Sequence, residues 1–115
     1  MYIATNKRRY PAKRIVTCFH WDEYFEDVFA VDMVEGKSIP KRDMLLLGMR
    51  KYGAGRKSSV MIGDTPGDVN AGNEIGIRTI GVSWGYATRD DVHATHPSAL
   101  ADQAYMIADM IRLFK

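Results

Sequence analysis

Ser59-Val60-Met61-Ile62-Gly63-Asp64-Thr65-Pro66-Gly67-Asp68-Val69-Asn70-Ala71-Gly72 is the stretch on which the fold turns. Its first four residues end in a continuous apolar run, the pattern of a parallel strand covered on both faces. Gly63 to Asp68 is turn chemistry. A short helix through Val69, Asn70, Ala71 and Gly72 then stops near Gly76, and Thr79-Ile80-Gly81-Val82 reads as the next strand. Strand, helix, strand is the unit of a parallel sheet.

The same alternation extends outward. Tyr2-Ile3-Ala4 is a strand stub ending at Thr5. A helix follows from about Pro11, where Ile15, Cys18 and Phe19 fall at i, i+3 and i+4 as one apolar face. Val28-Phe29-Ala30-Val31 reads as a second strand. Pro40 opens a second helix carrying Met44, Leu45 and Met49, with Gly53 as its stop. After the fourth strand, Pro97 precedes a last helix with Leu100, Ala104, Ile107, Ala108, Ile111 and Leu113 at near-helical spacing. Four strands alternating with four helices predict an α/β domain over residues 1–115, three-layered and Rossmann-like, with helices on both faces of a parallel sheet.

Composition agrees with a globular domain and excludes other classes. The chain has 115 residues, 46% of them apolar, with 16 Lys and Arg against 14 Asp and Glu. Such apolar content and low net charge exclude a disordered tail. One cysteine, Cys18, excludes a disulfide scaffold, and no apolar run approaches the ~20 residues of a membrane helix. An unpaired cysteine without a secretory apolar region points to the cytoplasm, with no membrane partner.

Ligands of parallel α/β sheets bind at the carboxyl ends of the strands, and three places stand out there. Thr5, followed by Asn6 and Lys7, offers a hydroxyl and a backbone N–H for an anion. Lys41 stands in the first turn of the helix opened by Pro40, a poor place for a cation unless an anion must be met. Asp64 follows the third strand directly and Asp68 lies four residues later. Two carboxylates at that spacing suit a hard cation such as Mg²⁺. Taken singly, a strand-end Thr-Asn is an ordinary turn, a first-turn lysine a solvated side chain, and Gly-Asp-Thr-Pro-Gly-Asp a turn. It is their order, hydroxyl, cation, carboxylate pair, that points to function.

Together these stretches resemble the carboxyl-terminal part of a haloacid dehalogenase-superfamily hydrolase, nearest the phosphoglycolate-phosphatase-like branch. Ile3-Ala4-Thr5-Asn6-Lys7 is similar to the family's second motif, Lys41 to the third, and Gly63 to Gly72 to the fourth. The continuation Gly76-Ile77-Arg78-Thr79-Ile80-Gly81-Val82-Ser83-Trp84-Gly85-Tyr86 follows that branch. The resemblance implies a Mg²⁺-dependent phosphatase of small phosphorylated metabolites. Thr5 and Asn6 would hold the transferring phosphoryl group and Lys41, in a catalytic role, would neutralise its charge. Asp64 would ligate the metal, with Asp68 supporting the metal or its waters.

One part of the family pattern is absent from these residues. The family's nucleophile is an Asp-x-Asp motif closing an apolar strand, and no Asp-x-Asp occurs in the sequence. Asp22-Glu23 and Glu26-Asp27 lie in a polar, aromatic-rich stretch, Asp32 is followed by Met33-Val34, and Asp90-Asp91 follows no strand. In the family that motif lies upstream of the Thr motif, on the central strand, so the fold is expected to be incomplete, lacking that strand and the cap. Three repairs are physically open: direct pairing of the first and third strands, edge pairing or swapping in a homo-oligomer, or origin as a fragment completed by another piece. The fragment origin is expected, with self-association keeping the chain folded. A phosphatase segment inactive alone is then the leading expectation. A non-catalytic module binding phosphate-bearing ligands or a partner chain is the competing one.

Weaker signals are read as structural. Lys7, Arg8, Arg9, Lys13 and Arg14 put five cations and no acid in the first fourteen residues. Without interleaved aromatics they read as a solvated helix end or a rim attracting phosphorylated substrates, not as a nucleic-acid site. His93 and His96, three apart, are expected in a Pro-bounded loop and lack a third ligand. Cys18 is expected in the core, and Trp21, Tyr24 and Phe25 in packing or at an interface.

Overall fold

The computed structural model describes residues 1–114. They form two compact units, one spanning Met1–Lys51 and a second beginning at Tyr52.

The first unit is built on two parallel strands, β1 (Tyr2–Thr5) and β2 (Asp27–Ala30). Their register pairs Tyr2 with Asp27, Ile3 with Val28, Ala4 with Phe29 and Thr5 with Ala30. The crossover is α1 (Arg9–Cys18) followed by a single 3₁₀ turn at Trp21–Glu23, and α2 (Lys41–Lys51) follows β2. Successive strand residues face opposite sides of the sheet, so Val28 and Phe29 meet different helices. Val28 packs with Ala12 and Val16 of α1 and with Ile3, whereas Phe29 packs with Ile39, Met44 and Leu47. The unit is a helix–sheet–helix sandwich.

The buried stripe of α1 is Ala12 and Val16, rotated from the expected Ile15, Cys18 and Phe19. Cys18 is exposed, not a core residue. Phe19 is 62% exposed and stacks on Trp21 at 5.2 Å between ring centroids. Tyr24 is exposed as well, and Phe25 half-buried. A helix with apolar residues on two adjacent stripes can dock by either one. Here the smaller pair lets the backbone approach β2. In α2 the expected face holds: Met44 is fully buried, Leu45 and Met49 are half-buried, and buried Gly48 adds to them. A Cβ on Gly48 would stand 2.7 Å from Phe29 Cε2 and 2.9 Å from Cζ. That ring is buried and cannot swing away, so Gly48→Ala should destabilise the chain by about 1–3 kcal/mol in urea unfolding. An unchanged midpoint would show that α2 can slide.

The second unit has three parallel strands in the order β3 (Val60–Gly63), β4 (Arg78–Val82), β5 (Ala99–Ala101). Met61 pairs with Thr79, Gly63 with Gly81, and Val82 with Ala101. The helix α3 (Pro66–Ile75) begins with Thr65 as N-cap and Pro66 in its first turn, and ends at Gly76 with φ +77°. Proline tolerates the first turn and glycine the left-handed cap, so the helix opens inside the stretch read as a turn, ahead of the expected Val69, and stops at Gly76 as expected. Ile80, Val82 and Ala101 pack with Met106, Ile107, Met110 and Ile111 of α5 (Met106–Leu113). On the opposite face, Gly72 of α3 lies against Thr79 and Met61, and Val92 of α4 (Arg89–His93) against Gly81. This unit too has helices on both faces.

Two sequence expectations need correction here. The last helix does not start after Pro97: Ala99–Ala101 is a fifth strand and α5 begins only at Met106. His93 closes α4 and so does not lie in the expected loop, while His96 adopts φ +57° beyond it. No helix among the described residues is long and apolar enough to cross a membrane.

Candidate functional site

In the first unit, Thr5 is the last residue of β1, and the Lys7 backbone N–H donates to its Oγ1 at 3.1 Å. The Thr5 oxygen thus serves as acceptor to its own turn, leaving the hydroxyl proton to donate elsewhere. Lys41 is the first residue of α2, and its Nζ donates to the Ala4 carbonyl at 3.1 Å. A side chain 37 residues away in sequence is therefore anchored to the peptide immediately before Thr5. The ammonium would face the positive end of its own helix dipole, so a carbonyl contact and a nearby anion are its natural compensation. Thr5, Asn6 and Lys41 are brought together around the carboxyl end of β1.

Asp32 belongs to the same end of this sheet, with a role that its sequence position alone does not reveal. A tight turn, with Met33 N–H donating to Ala30 O at 3.1 Å, sets it just past β2. Its Oδ1 accepts the Arg9 backbone N–H at 2.7 Å and its Oδ2 accepts Arg8 Nε at 3.4 Å. The Arg9 N–H holds the Asp32 carboxyl below the usual carboxylate range, with Arg8 adding to the effect. The capping interaction is therefore fully present above the ordinary carboxylate range and is lost as the pH falls through the lowered value. The sequence signal was an acid directly after an apolar strand, but its partner is a helix start 23 residues earlier.

In the second unit, Asp64 follows β3 and its Oδ2 accepts the Tyr86 backbone N–H at 2.8 Å. The loop after β4 reaches this carboxylate because Gly85 has no Cβ; one there would collide with Asp64. Asp68 is 8% exposed and works in a capping box. Its N–H donates to Thr65 Oγ1, and its Oδ2 accepts the Thr65 N–H, both at 3.3 Å. Gly63 gives it room, since a Cβ there would collide with its side chain. Asp64 is thus the half-buried carboxylate presented at the strand end, and Asp68 sits behind the same turn. Sequence reasoning did not anticipate Tyr86 as a partner of Asp64, although the Gly85 beside it was a visible hint of close approach.

The loop from Ser83 to Thr88 is tied at both ends. Ser83 N–H donates to Ala101 O at 3.1 Å, and Arg89 Nε to Asp102 Oδ1 at 3.0 Å. The Arg89 hydrogen bond, followed by one from Ser83, holds the Asp102 carboxyl below its usual range. Among the described residues no three His, Cys, Asp or Glu side chains cluster as a metal cage.

Comparison with known proteins adds a lineage to this geometry. A family model described as haloacid dehalogenase-like hydrolase matches residues 1–82. The chain is 34% identical over 100 residues to "Probable phosphatase IndB" of Dickeya dadantii, covering 87% of this chain and 43% of that protein. It is 28% identical over 109 residues to a phosphoglycolate phosphatase of Psychrobacter arcticus, covering 95% and 47%. In fold it matches a haloacid dehalogenase-like hydrolase from Streptococcus pneumoniae with a TM-score of 0.85 at 19% identity, over 95% of this chain and 50% of that one. The chain spans about half the length of the proteins it matches. With its α/β parallel architecture and a match across residues 1–82, the chain belongs to the haloacid dehalogenase-like hydrolase family.

Proposed function

We propose that this chain is the phosphoryl- and Mg²⁺-binding part of a phosphomonoester hydrolase acting on a small phosphorylated metabolite in the cytoplasm. The observation that carries the reading is the Lys41 ammonium held on the Ala4 carbonyl, on the peptide that leads into Thr5. Thr5 would donate its free hydroxyl proton, and Asn6 its backbone N–H, to phosphoryl oxygens. Lys41 would neutralise the charge on the same group. Positioned donors and cations of this kind supply most of the catalysis of phosphoryl transfer.

The donor set at the end of β3 fits Mg²⁺, which takes one or two carboxylates and keeps several waters. Asp64 would hold the ion, and Asp68, already engaged with Thr65, would support it or its waters. When bound, Mg²⁺ supplies charge neutralisation to phosphate oxygens. The Tyr86 N–H fixes the Asp64 carboxylate and keeps one of its oxygens oriented.

The attacking carboxylate of the family is supplied from outside these residues, because they contain no Asp-x-Asp. By itself the chain should therefore bind without turnover, and a complementing segment or a self-associated form would be its working partner. Orthophosphate titrated into the chain should bind, and Lys41→Ala should weaken that binding roughly tenfold, the value of losing about 1.4 kcal/mol of charged contact. Hydrolysis of an aryl phosphate with added Mg²⁺ should be undetectable for the chain alone. Turnover that disappears in Lys41→Ala would mean that a carboxylate within these 115 residues attacks. Absence of both phosphate and Mg²⁺ binding would sink the reading altogether. Phosphate binding that persists with no turnover after a complementing segment is supplied would favour a non-catalytic module.

A further inference from the structure

The turn from Thr5 to Arg8 joins β1 to α1, and its two ends are held by different means. At the strand end, the ladder with β2 fixes Thr5 opposite Ala30, and the Lys7 N–H closes onto Thr5 Oγ1. At the helix end no local device exists. Arg8 stands at the N-cap with extended backbone (φ −66°, ψ 150°), its side chain makes no capping bond, and no acid occupies the first turn of α1. Two arginines there add positive charge where the helix dipole is already positive. An uncapped start of this kind frays, and fraying would carry the turn with it.

Asp32 supplies what the helix lacks. Its Oδ1 takes the Arg9 N–H at 2.7 Å, and its Oδ2 meets Arg8 Nε at 3.4 Å. The side chain comes from the carboxyl end of β2, the strand paired with β1, so it ties the end of the turn to the same sheet that fixes its beginning. It also occupies the N-terminus of α1 with a carboxylate. An incoming anion is thereby denied that helix end and left to the groups on the turn itself.

We propose that Asp32 is a positioning residue for the phosphoryl-binding turn: as a long-range cap of α1 it holds Thr5, Asn6 and Lys7 in their binding shape. The proposal rests on the reading of Thr5 and Asn6 as phosphoryl-binding groups. Asp32 does not itself contact the ligand, since its oxygens face Arg8 and Arg9.

Two readouts on the same variants separate the positioning role from that reading. The first needs no ligand: amide hydrogen exchange and ¹⁵N–¹H shifts of Asn6, Lys7 and Arg9 in the wild-type chain, Asp32→Ala and Asp32→Asn. The alanine variant should lose Arg9 amide protection by roughly tenfold or more and shift the Asn6 and Lys7 resonances. The asparagine variant, which keeps an oxygen for the Arg9 N–H, should restore both. The second readout is orthophosphate affinity, expected to fall roughly tenfold in Asp32→Ala and to recover in Asp32→Asn. Unchanged amides in Asp32→Ala would overturn the positioning role. Changed amides with wild-type phosphate affinity would also overturn it, because the turn's shape would not matter to the ligand. Failure of the wild-type chain to bind phosphate would overturn the reading of Thr5 and Asn6, and with it the purpose assigned to Asp32.

Discussion

Asp64→Asn should weaken Mg²⁺ binding by more than about 100-fold while leaving the second unit folded. The asparagine is isosteric and its carbonyl oxygen can still accept the Tyr86 N–H that Asp64 Oδ2 accepts at 2.8 Å. What disappears is the negative charge and one hard oxygen. Replacing a residue behind a metal ligand commonly costs 10–100-fold in affinity, and a direct ligand should cost at least as much. Asp68→Asn should behave differently. Asp68 sits 8% exposed with Oδ2 committed to the Thr65 N–H, and an asparagine keeps that capping bond. Its effect on Mg²⁺ should be the smaller of the two. Titration calorimetry of Mg²⁺, with circular dichroism as the folding control, checks both. Equal losses would make the two carboxylates equivalent ligands, and no loss in Asp64→Asn would remove the metal from this strand end.

The difference between these two aspartates marks how far the sequence alone reaches. Between Gly63 and Gly76 the stop could be read because a left-handed glycine is a local signal, whereas Thr65 and Pro66, read as part of a turn, form the cap and first turn of α3. Strand β5 could not be read. Ala99, Leu100 and Ala101 are good helix formers, three residues show no period of two, and their spacing to Ile107 and Ile111 mimics one helical face. Only pairing with Ile80 and Val82 makes them a strand. The docking face of α1 was misread because Ile15 and Phe19 are larger than Ala12 and Val16, whereas close approach to β2 favours the small pair. For the candidate site, Thr5, Lys41, Asp64 and Asp68 could be picked out by position relative to strand ends. Their supports could not, because Ala4 to Lys41, Asp32 to Arg9 and Asp64 to Tyr86 each span more than twenty residues.

The same kind of long-range support underlies the second large effect, expected for Thr79→Val. Thr79 is fully buried on β4. Its hydroxyl donates to Asn73 Oδ1 at 3.0 Å and accepts the Ser98 N–H at 3.1 Å. Its own N–H donates to Ser98 Oγ at 3.0 Å. Asn73 in turn donates through Nδ2 to Thr95 O at 2.9 Å, next to His96 in its left-handed conformation. One hydroxyl therefore joins α3, β4 and the segment that enters β5. Valine matches threonine in shape but frees an acceptor on Asn73 and a donor on Ser98, both on exposed residues that water can reach. Each lost hydrogen bond is worth about 0.5–1.5 kcal/mol net, so the variant should lose roughly 1–3 kcal/mol in urea unfolding. Thr79→Ser keeps the network and removes only a methyl group, for about 1 kcal/mol. The consequence reaches the candidate metal end of β3. Ser98 leads into β5, Ala101 O holds the Ser83 N–H, and the loop begun at Ser83 brings the Tyr86 N–H to Asp64. Thr79→Val should therefore also loosen Mg²⁺ binding, by less than Asp64→Asn, under conditions where the chain is still folded. A valine variant as stable as the parent would show that the network adds nothing and that β5 is held by its pairing with β4 and its apolar contacts with α5.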